Sequence, residues 1–153
     1  MSMLESLSMS EPRPIDVLLA KYSESHRNHT NEIIHFVCVP AIVFSLLGLI
    51  WCLQPMAALG VVLLSLAYYV RLSIPFAAGM LVMSLLMLGV LSVLPQPAIL
   101  PLSIGIFVVA WIGQFIGHKI EGKKPSFFDD VRFLLIGPLF VLGFLYRKLK
   151  LAY

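Results

Sequence analysis

Long uncharged stretches dominate the chain and predict four membrane-crossing helices. No Asp, Glu, Lys or Arg occurs between Ile33 and Val70, and none occurs between Leu72 and Gly117. A run of about 20 apolar residues is long enough to cross the hydrocarbon core of a bilayer. Proline-containing breaks divide the uncharged stretches into four predicted spans, at residues 33–53, 56–72, 75–94 and 98–120.

Two shorter segments flank the predicted spans. In residues 12–25, apolar side chains recur near helical spacing, which predicts an amphipathic helix at the membrane interface. Residues 131–148 contain an apolar run of about fourteen residues, broken at Gly137 and Pro138, which is short of the roughly 20 needed to cross. We predict that this segment is re-entrant or interfacial, and a fifth crossing is the rival interpretation. Thr30 or Asn31 is expected to cap the first span.

The predicted fold is an all-α integral membrane helical bundle that forms one membrane domain over residues 1–153. Composition agrees, because 59% of the residues are hydrophobic and only 12% are charged, whereas soluble domains carry about 25% charged residues. The N-terminal stretch of the chain is polar and has no basic region leading into an apolar core, so no cleaved signal peptide is expected. Cys38 and Cys52 lie about 20 Å apart along one predicted helix and cannot pair.

The positions of the basic residues predict the orientation of the bundle. With four spans, all eleven Lys and Arg residues fall on one side of the membrane, and basic loops mark the cytoplasmic side. Both chain termini are then cytoplasmic, in a bacterial inner membrane or in the endoplasmic reticulum. No phosphate-binding loop, Ser-His-Asp set or nucleic-acid motif is present, so no nucleic-acid partner is expected. The sequence does not give the oligomeric state.

The same topology brings the histidines together. His26, His29 and His35 precede or begin the first span, and the fourth and last histidine of the chain, His118, ends the fourth span. An even number of crossings returns His118 to the surface from which the first span departs. We therefore expect a polar site at this surface, whereas His29 is interpreted as a polar side chain among the lipid headgroups.

Helical spacing places polar partners beside two of these histidines. Asn31 and His35 are four residues apart, as are Gln114 and His118, and Glu121 follows His118 by three residues, so each pair shares a helix face. Imidazole and carboxylate groups together are ligands of zinc, copper or non-haem iron. Ionisable groups near membrane depth are costly and are usually functional.

Two blocks of residues resemble a known family. The first has the pattern H-x-N-x-x-N-x-x-x-H-x-x-x-x-P, which runs from His26 to Pro40, and the second is WIGQFIGHKIEGKKPSFFDD, beginning at Trp111. Together with YYVRLS, beginning at Tyr68, they resemble the 2-hydroxy-fatty-acid dioxygenase family of small membrane proteins. Its fungal members work in the endoplasmic reticulum, and the resemblance extends from about Leu18 to Phe140.

The resemblance implies an Fe(II)-dependent α-oxidation, in which a 2-hydroxy fatty acid reacts with the co-substrate O2 and leaves as a fatty acid one carbon shorter. His26, His35 and His118 match the family's histidines and would bind a single iron ion, with Glu121 as a fourth ligand or as a hydrogen-bond acceptor behind the ligands. The acyl chain would run between the spans toward the membrane lipid. The groups expected to anchor the histidines are Asn28, Asn31 and Gln114, and those expected to hold the substrate carboxylate are Arg27, Lys119 and Arg132.

Three alternatives remain open at this stage. Paired histidines from two helices could ligate haem, or a metal, in a membrane protein without oxygenase activity. Zinc accepts the same ligands and would indicate a membrane hydrolase. A structural or transport protein could carry histidines only as interfacial polar residues, although few polar side chains lie within the spans to form a path for a polar solute.

Overall fold

A computed structural model describes residues 11–123 and 133–153 of the chain. Within these ranges the structure is built from helices, without strands. In chain order they are α1 (Pro14–Ser23), α2 (His29–Leu53), α3 (Pro55–Leu72), α4 (Ile74–Val93), α5 (Gln96–Glu121) and α6 (Gly137–Lys148). The predicted all-α fold is confirmed.

Helices α2, α3, α4 and α5 are each long and apolar enough to cross a membrane. Their outward faces are apolar: Leu64 is 75% exposed and Val109 is 70% exposed. Contiguous apolar surface of this kind is stable in lipid but not in water. The described residues therefore contain the four predicted spans, and the chain is an integral membrane protein.

Very short connections make consecutive spans antiparallel. Single extended residues, Gln54 and Ser73, separate α2 from α3 and α3 from α4. Each following helix has proline in its first turn, where the missing N–H costs no hydrogen bond. The chain therefore reverses direction at each end, and the N-terminus of α2 lies at the same end of the bundle as the C-terminus of α5.

The first spanning helix begins four residues earlier than predicted, at His29 instead of residue 33. The prediction that Thr30 or Asn31 caps this helix was wrong. The cap is Asn28, whose side-chain oxygen accepts hydrogen bonds from the N–H groups of Thr30 at 2.9 Å and Asn31 at 3.3 Å. The extra turn is polar and carries no apolar periodicity, so only the cap marks where it starts.

Small residues allow α2 and α5 to pack closely along their length. A Cβ atom on Gly117 would contact Asn31 Oδ1, and one on Gly113 would lie 2.6 Å from Cys38 Sγ. Glycines four residues apart present one flat strip of helix surface, which lets two membrane helices approach closely. This packing brings the polar N-terminal turns of α2 against the C-terminal turns of α5.

The terminal helices pack at the same end of the bundle. Helix α1 is amphipathic as predicted, with Ile15 and Tyr22 buried. Helix α6 contacts α1, α2 and α4. Its twelve residues rise about 18 Å, less than the roughly 30 Å of a hydrocarbon core. This length favours the re-entrant or interfacial interpretation over a fifth crossing; residues 131 and 132 of the predicted segment lie outside the described residues.

Candidate functional site

Three buried histidines from different parts of the chain meet at this end of the bundle. His26 lies between α1 and α2, His35 lies in the second turn of α2, and His118 lies in the last turn of α5. The ring centroids are 4.2 Å apart for His26 and His35, 5.0 Å for His35 and His118, and 5.8 Å for His26 and His118. We call these three residues the histidine cluster.

The fourth histidine is not part of the cluster. His29 occupies the first position of α2, and its side chain is 82% exposed. Its Nδ1 lies 3.7 Å from a carboxylate oxygen of Glu32, three residues along the same helix. The position of His29 agrees with the interpretation of this residue as an exposed polar group.

Main-chain carbonyls orient two of the clustered rings. His26 Nδ1 lies 2.7 Å from the carbonyl oxygen of Tyr22, and His35 Nδ1 lies 2.9 Å from that of Asn31. Because a carbonyl only accepts hydrogen bonds, Nδ1 of each ring is assigned the proton and Nε2 carries the lone pair. Both Nε2 atoms are buried, and that of His35 has no hydrogen-bond partner among the described residues.

A carboxylate from the end of α5 holds the segment that carries His26. Glu121 accepts hydrogen bonds from the main-chain N–H groups of Arg27 at 3.0 Å and Asn28 at 2.8 Å, and from Asn31 Nδ2 at 3.1 Å. Helix α5 ends directly after it at Gly122, whose φ of 76° is the left-handed conformation that glycine adopts readily. Glu121 therefore ties the two halves of the site together.

Asn31, in the first turn of α2, is fully buried and links several parts of the site. Its Nδ2 donates to the carbonyl oxygen of Ser25 at 3.0 Å as well as to Glu121, and its main-chain carbonyl accepts from His35. Asn28 instead caps α2 with its side chain. The groups that anchor the rings of His26 and His35 are main-chain carbonyls. Of the amide residues predicted to anchor the histidines, Asn31 supplies one of these carbonyls.

The remaining predicted residues differ in their surroundings. Gln114 is buried, one turn before His118, and its Oε1 has no hydrogen-bond partner in the described part of the chain. The side chains of Arg27 and Lys119 are exposed at the same end of the bundle. Arg132 lies outside the described residues.

Two aromatic side chains cover the cluster, and sequence reasoning missed both. The ring of Tyr22 stacks on that of His26 with centroids 4.2 Å apart and planes at 6°. Phe140 of α6 lies 5.6 Å from the His26 ring and 5.0 Å from the Tyr22 ring. Tyr22 precedes His26 by four residues, the same spacing that indicated Asn31 beside His35, whereas nothing in the local sequence points to Phe140.

The donor set of the cluster fits a metal ion. Neutral imidazoles with a buried Nε2 lone pair and an anchored Nδ1 are the usual form of histidine ligands. Within residues 11–123 and 133–153, no three His, Cys, Asp or Glu side chains already converge on one point. The three rings are neighbours, and ligation of one ion at about 2.0–2.1 Å would require them to move from the positions described here.

Comparison with known proteins gives two matches. A protein-family model described as 2-hydroxy-palmitic acid dioxygenase Mpo1-like matches residues 13–149. The chain is also 32% identical over 133 residues to the 2-hydroxy-palmitic acid dioxygenase MPO1 of Saccharomyces cerevisiae, in an alignment that covers 81% of this chain and 75% of the yeast protein. No solved structure matches the chain. The range matched by the family model contains the whole histidine cluster.

Proposed function

The chain belongs to the 2-hydroxy-palmitic acid dioxygenase Mpo1-like family, and we propose that it oxidises a 2-hydroxy fatty acid at the membrane surface. In the proposed reaction, O2 and the 2-hydroxy acid give a fatty acid one carbon shorter, carbon dioxide and water. The bond between the carboxyl carbon and the hydroxyl-bearing carbon breaks, and the latter becomes the new carboxyl group. Both the family and the polar site at the end of an apolar bundle support a substrate with an acidic head and an apolar chain.

We propose that His26, His35 and His118 hold a single Fe(II) ion. The observation that carries this proposal is the pair of rings anchored at Nδ1 by main-chain carbonyls, which leaves Nε2 buried in the cluster. Iron bound there would supply open positions for O2 and for the hydroxyl and carboxylate oxygens of the substrate.

The other residues of the site would position these groups. Glu121 holds the Arg27 and Asn28 main chain and so fixes where His26 stands relative to α5. Tyr22 and Phe140 cover one side of His26 and would keep water from that side of the ring. We assign the exposed cations of Arg27 and Lys119 to the attraction of the substrate carboxylate, and Arg132 to the same role from its place in the sequence.

The proposal is tested on protein purified without oxygen. We expect stoichiometric iron by elemental analysis and O2 uptake with 2-hydroxypalmitate. His35→Ala and His118→Ala should each lose iron and activity, whereas His29→Ala, the matched exposed control, should keep both. Full turnover in either cluster variant would refute the assignment. Stoichiometric zinc without O2 uptake would indicate the hydrolase alternative, and a Soret band would indicate haem.

The cytoplasmic orientation also remains a proposal. It is supported by the Lys and Arg distribution, and in the described structure α1, α6 and the histidine cluster lie at one end of the four spans. Labelling of a cysteine introduced at Lys119 with a membrane-impermeant thiol reagent in intact cells tests it. We expect the introduced cysteine to be protected from labelling in intact cells and to be labelled after the cells are opened.

A further inference from the structure

An apolar cavity of about 180 Å³ lies inside the bundle, below the histidine cluster. Its walls include Leu46 and Ile50 of α2, Ser65 of α3 and Ser84 of α4. The segment that leads into α6 completes the lining with Leu134, Leu135 and Pro138.

The cavity and the cluster share one face of α2. Val43, Leu46 and Ile50 follow His35 by eight, eleven and fifteen residues, which at 100° per residue places them within about 80° of its direction. The same spacings correspond to about 12–22 Å along the helix axis. Buried Val39 occupies the turn between His35 and the cavity.

The short C-terminal helix connects the two sites structurally. Pro138 lines the cavity, and two residues later the ring of Phe140 contacts that of His26. Tyr69, another lining residue, donates a hydrogen bond to the carbonyl oxygen of Leu135 at 2.9 Å, which fixes this segment against α3. One short stretch of chain thus stands beside both the cluster and the cavity.

We propose that this cavity binds the methyl end of the substrate's acyl chain when the polar head lies at the histidine cluster. This inference rests on the proposed function. One leaflet of the hydrocarbon core is about 15 Å deep, so a chain of membrane-lipid length that starts at His35 reaches the cavity and ends inside it. A chain half as long ends before it. The cavity therefore selects long 2-hydroxy fatty acids over medium ones.

Chain-length preference provides the first test. Ser65 is half-buried on the cavity wall, so Ser65→Leu fills the space that the chain end would occupy. We expect kcat/KM for 2-hydroxypalmitate to fall about tenfold, the change that follows when roughly two methylene groups lose their apolar site. In the same variant, kcat/KM for 2-hydroxyoctanoate should change less than twofold. Ser92→Leu is the matched control, since Ser92 is exposed and donates a hydrogen bond to the carbonyl oxygen of Gly89 in its own helix.

Binding provides a second test that needs no turnover. Trp51 adjoins Ile50 at the far end of the cavity, and the chain's only other tryptophan is Trp111. In a Trp111→Phe variant in detergent, palmitate brominated at its terminal carbon should quench Trp51 fluorescence more than palmitate brominated beside the carboxyl. The difference should disappear when Ser65→Leu is added and should persist with Ser92→Leu.

The two tests separate the failure of this inference from that of the proposed function. Absence of O2 uptake with every 2-hydroxy acid would refute the proposed function, while the quenching experiment would still test the cavity. Turnover with the same chain-length profile in Ser65→Leu and Ser92→Leu would overturn the cavity assignment. Equal quenching by both brominated acids would overturn it too, and would indicate that the chain lies in the bilayer or that lipid fills the cavity.

Discussion

Gly117→Ala should destabilise the bundle at the histidine cluster. The added Cβ would contact Asn31 Oδ1 and would lie 3.3 Å from His35 Cε1. Asn31 cannot simply rotate away, because its Nδ2 is held by Glu121 and by the carbonyl oxygen of Ser25. The methyl group must therefore push α5 away from α2, and because α5 carries Glu121, this displacement also breaks the hydrogen bond from Asn31 to Glu121.

The magnitude follows from three contributions. Overpacking costs about 1–3 kcal/mol, and loss of the hydrogen bond from Asn31 to the Glu121 carboxylate costs about 1.5–3 kcal/mol. Replacing a helical glycine by alanine stabilises the helix by about 0.5–1 kcal/mol. The net loss is about 3 kcal/mol, which lowers Tm by about 6–12 °C for a chain of this size.

The assay is thermal unfolding in detergent, with Gly105→Ala as control. Gly105 lies in the same helix, and a Cβ there would have nothing within 4 Å apart from its own helix backbone and chain neighbours. The control should therefore be unchanged or slightly stabilised. If Gly117→Ala unfolds at the same temperature as Gly105→Ala or above it, the close contact of α2 and α5 at the cluster is wrong.

Three further predictions concern the residues around the cluster. Asn28→Ala removes the cap of α2 and should lower the free energy of unfolding by about 1 kcal/mol, as measured by denaturant titration. Asn28→Asp should keep most of the stability that the cap contributes. Glu121→Gln places an amide donor against main-chain N–H groups and should cost about 1.5–3 kcal/mol; unchanged stability would show that the three hydrogen bonds to Glu121 contribute nothing. Tyr69→Phe loses the hydrogen bond to Leu135 and should lower the free energy of unfolding by about 1 kcal/mol. Backbone hydrogen exchange should become faster in residues 133–140 and remain unchanged in α3.

The spans were predictable because their signal is local. Uncharged length and proline positions determine where an apolar helix starts and stops in lipid, and the four spanning helices follow both. The start of α2 was missed because its cap, Asn28, lies in a polar stretch that apolar periodicity does not mark.

The site was only partly predictable, since its geometry depends on tertiary contacts. The topology brought His35 and His118 to one surface, and the structure places them in contact. The ring anchors are main-chain carbonyls, which every residue has, so side-chain identity cannot point to them. Phe140 reaches His26 through the packing of α6 against α1 and α2, and no spacing near either residue indicates that contact.

The pairing of α2 with α5 also sets an order of events during synthesis. His118 follows His35 by 83 residues, which takes about 4–17 s at translation rates of roughly 5–20 residues per second. During that interval the polar turn that contains Asn31 and His35 has no α5 to pack against. The site can therefore form only after the fourth span has inserted. Loading of the proposed metal ion would then be a late step of biogenesis.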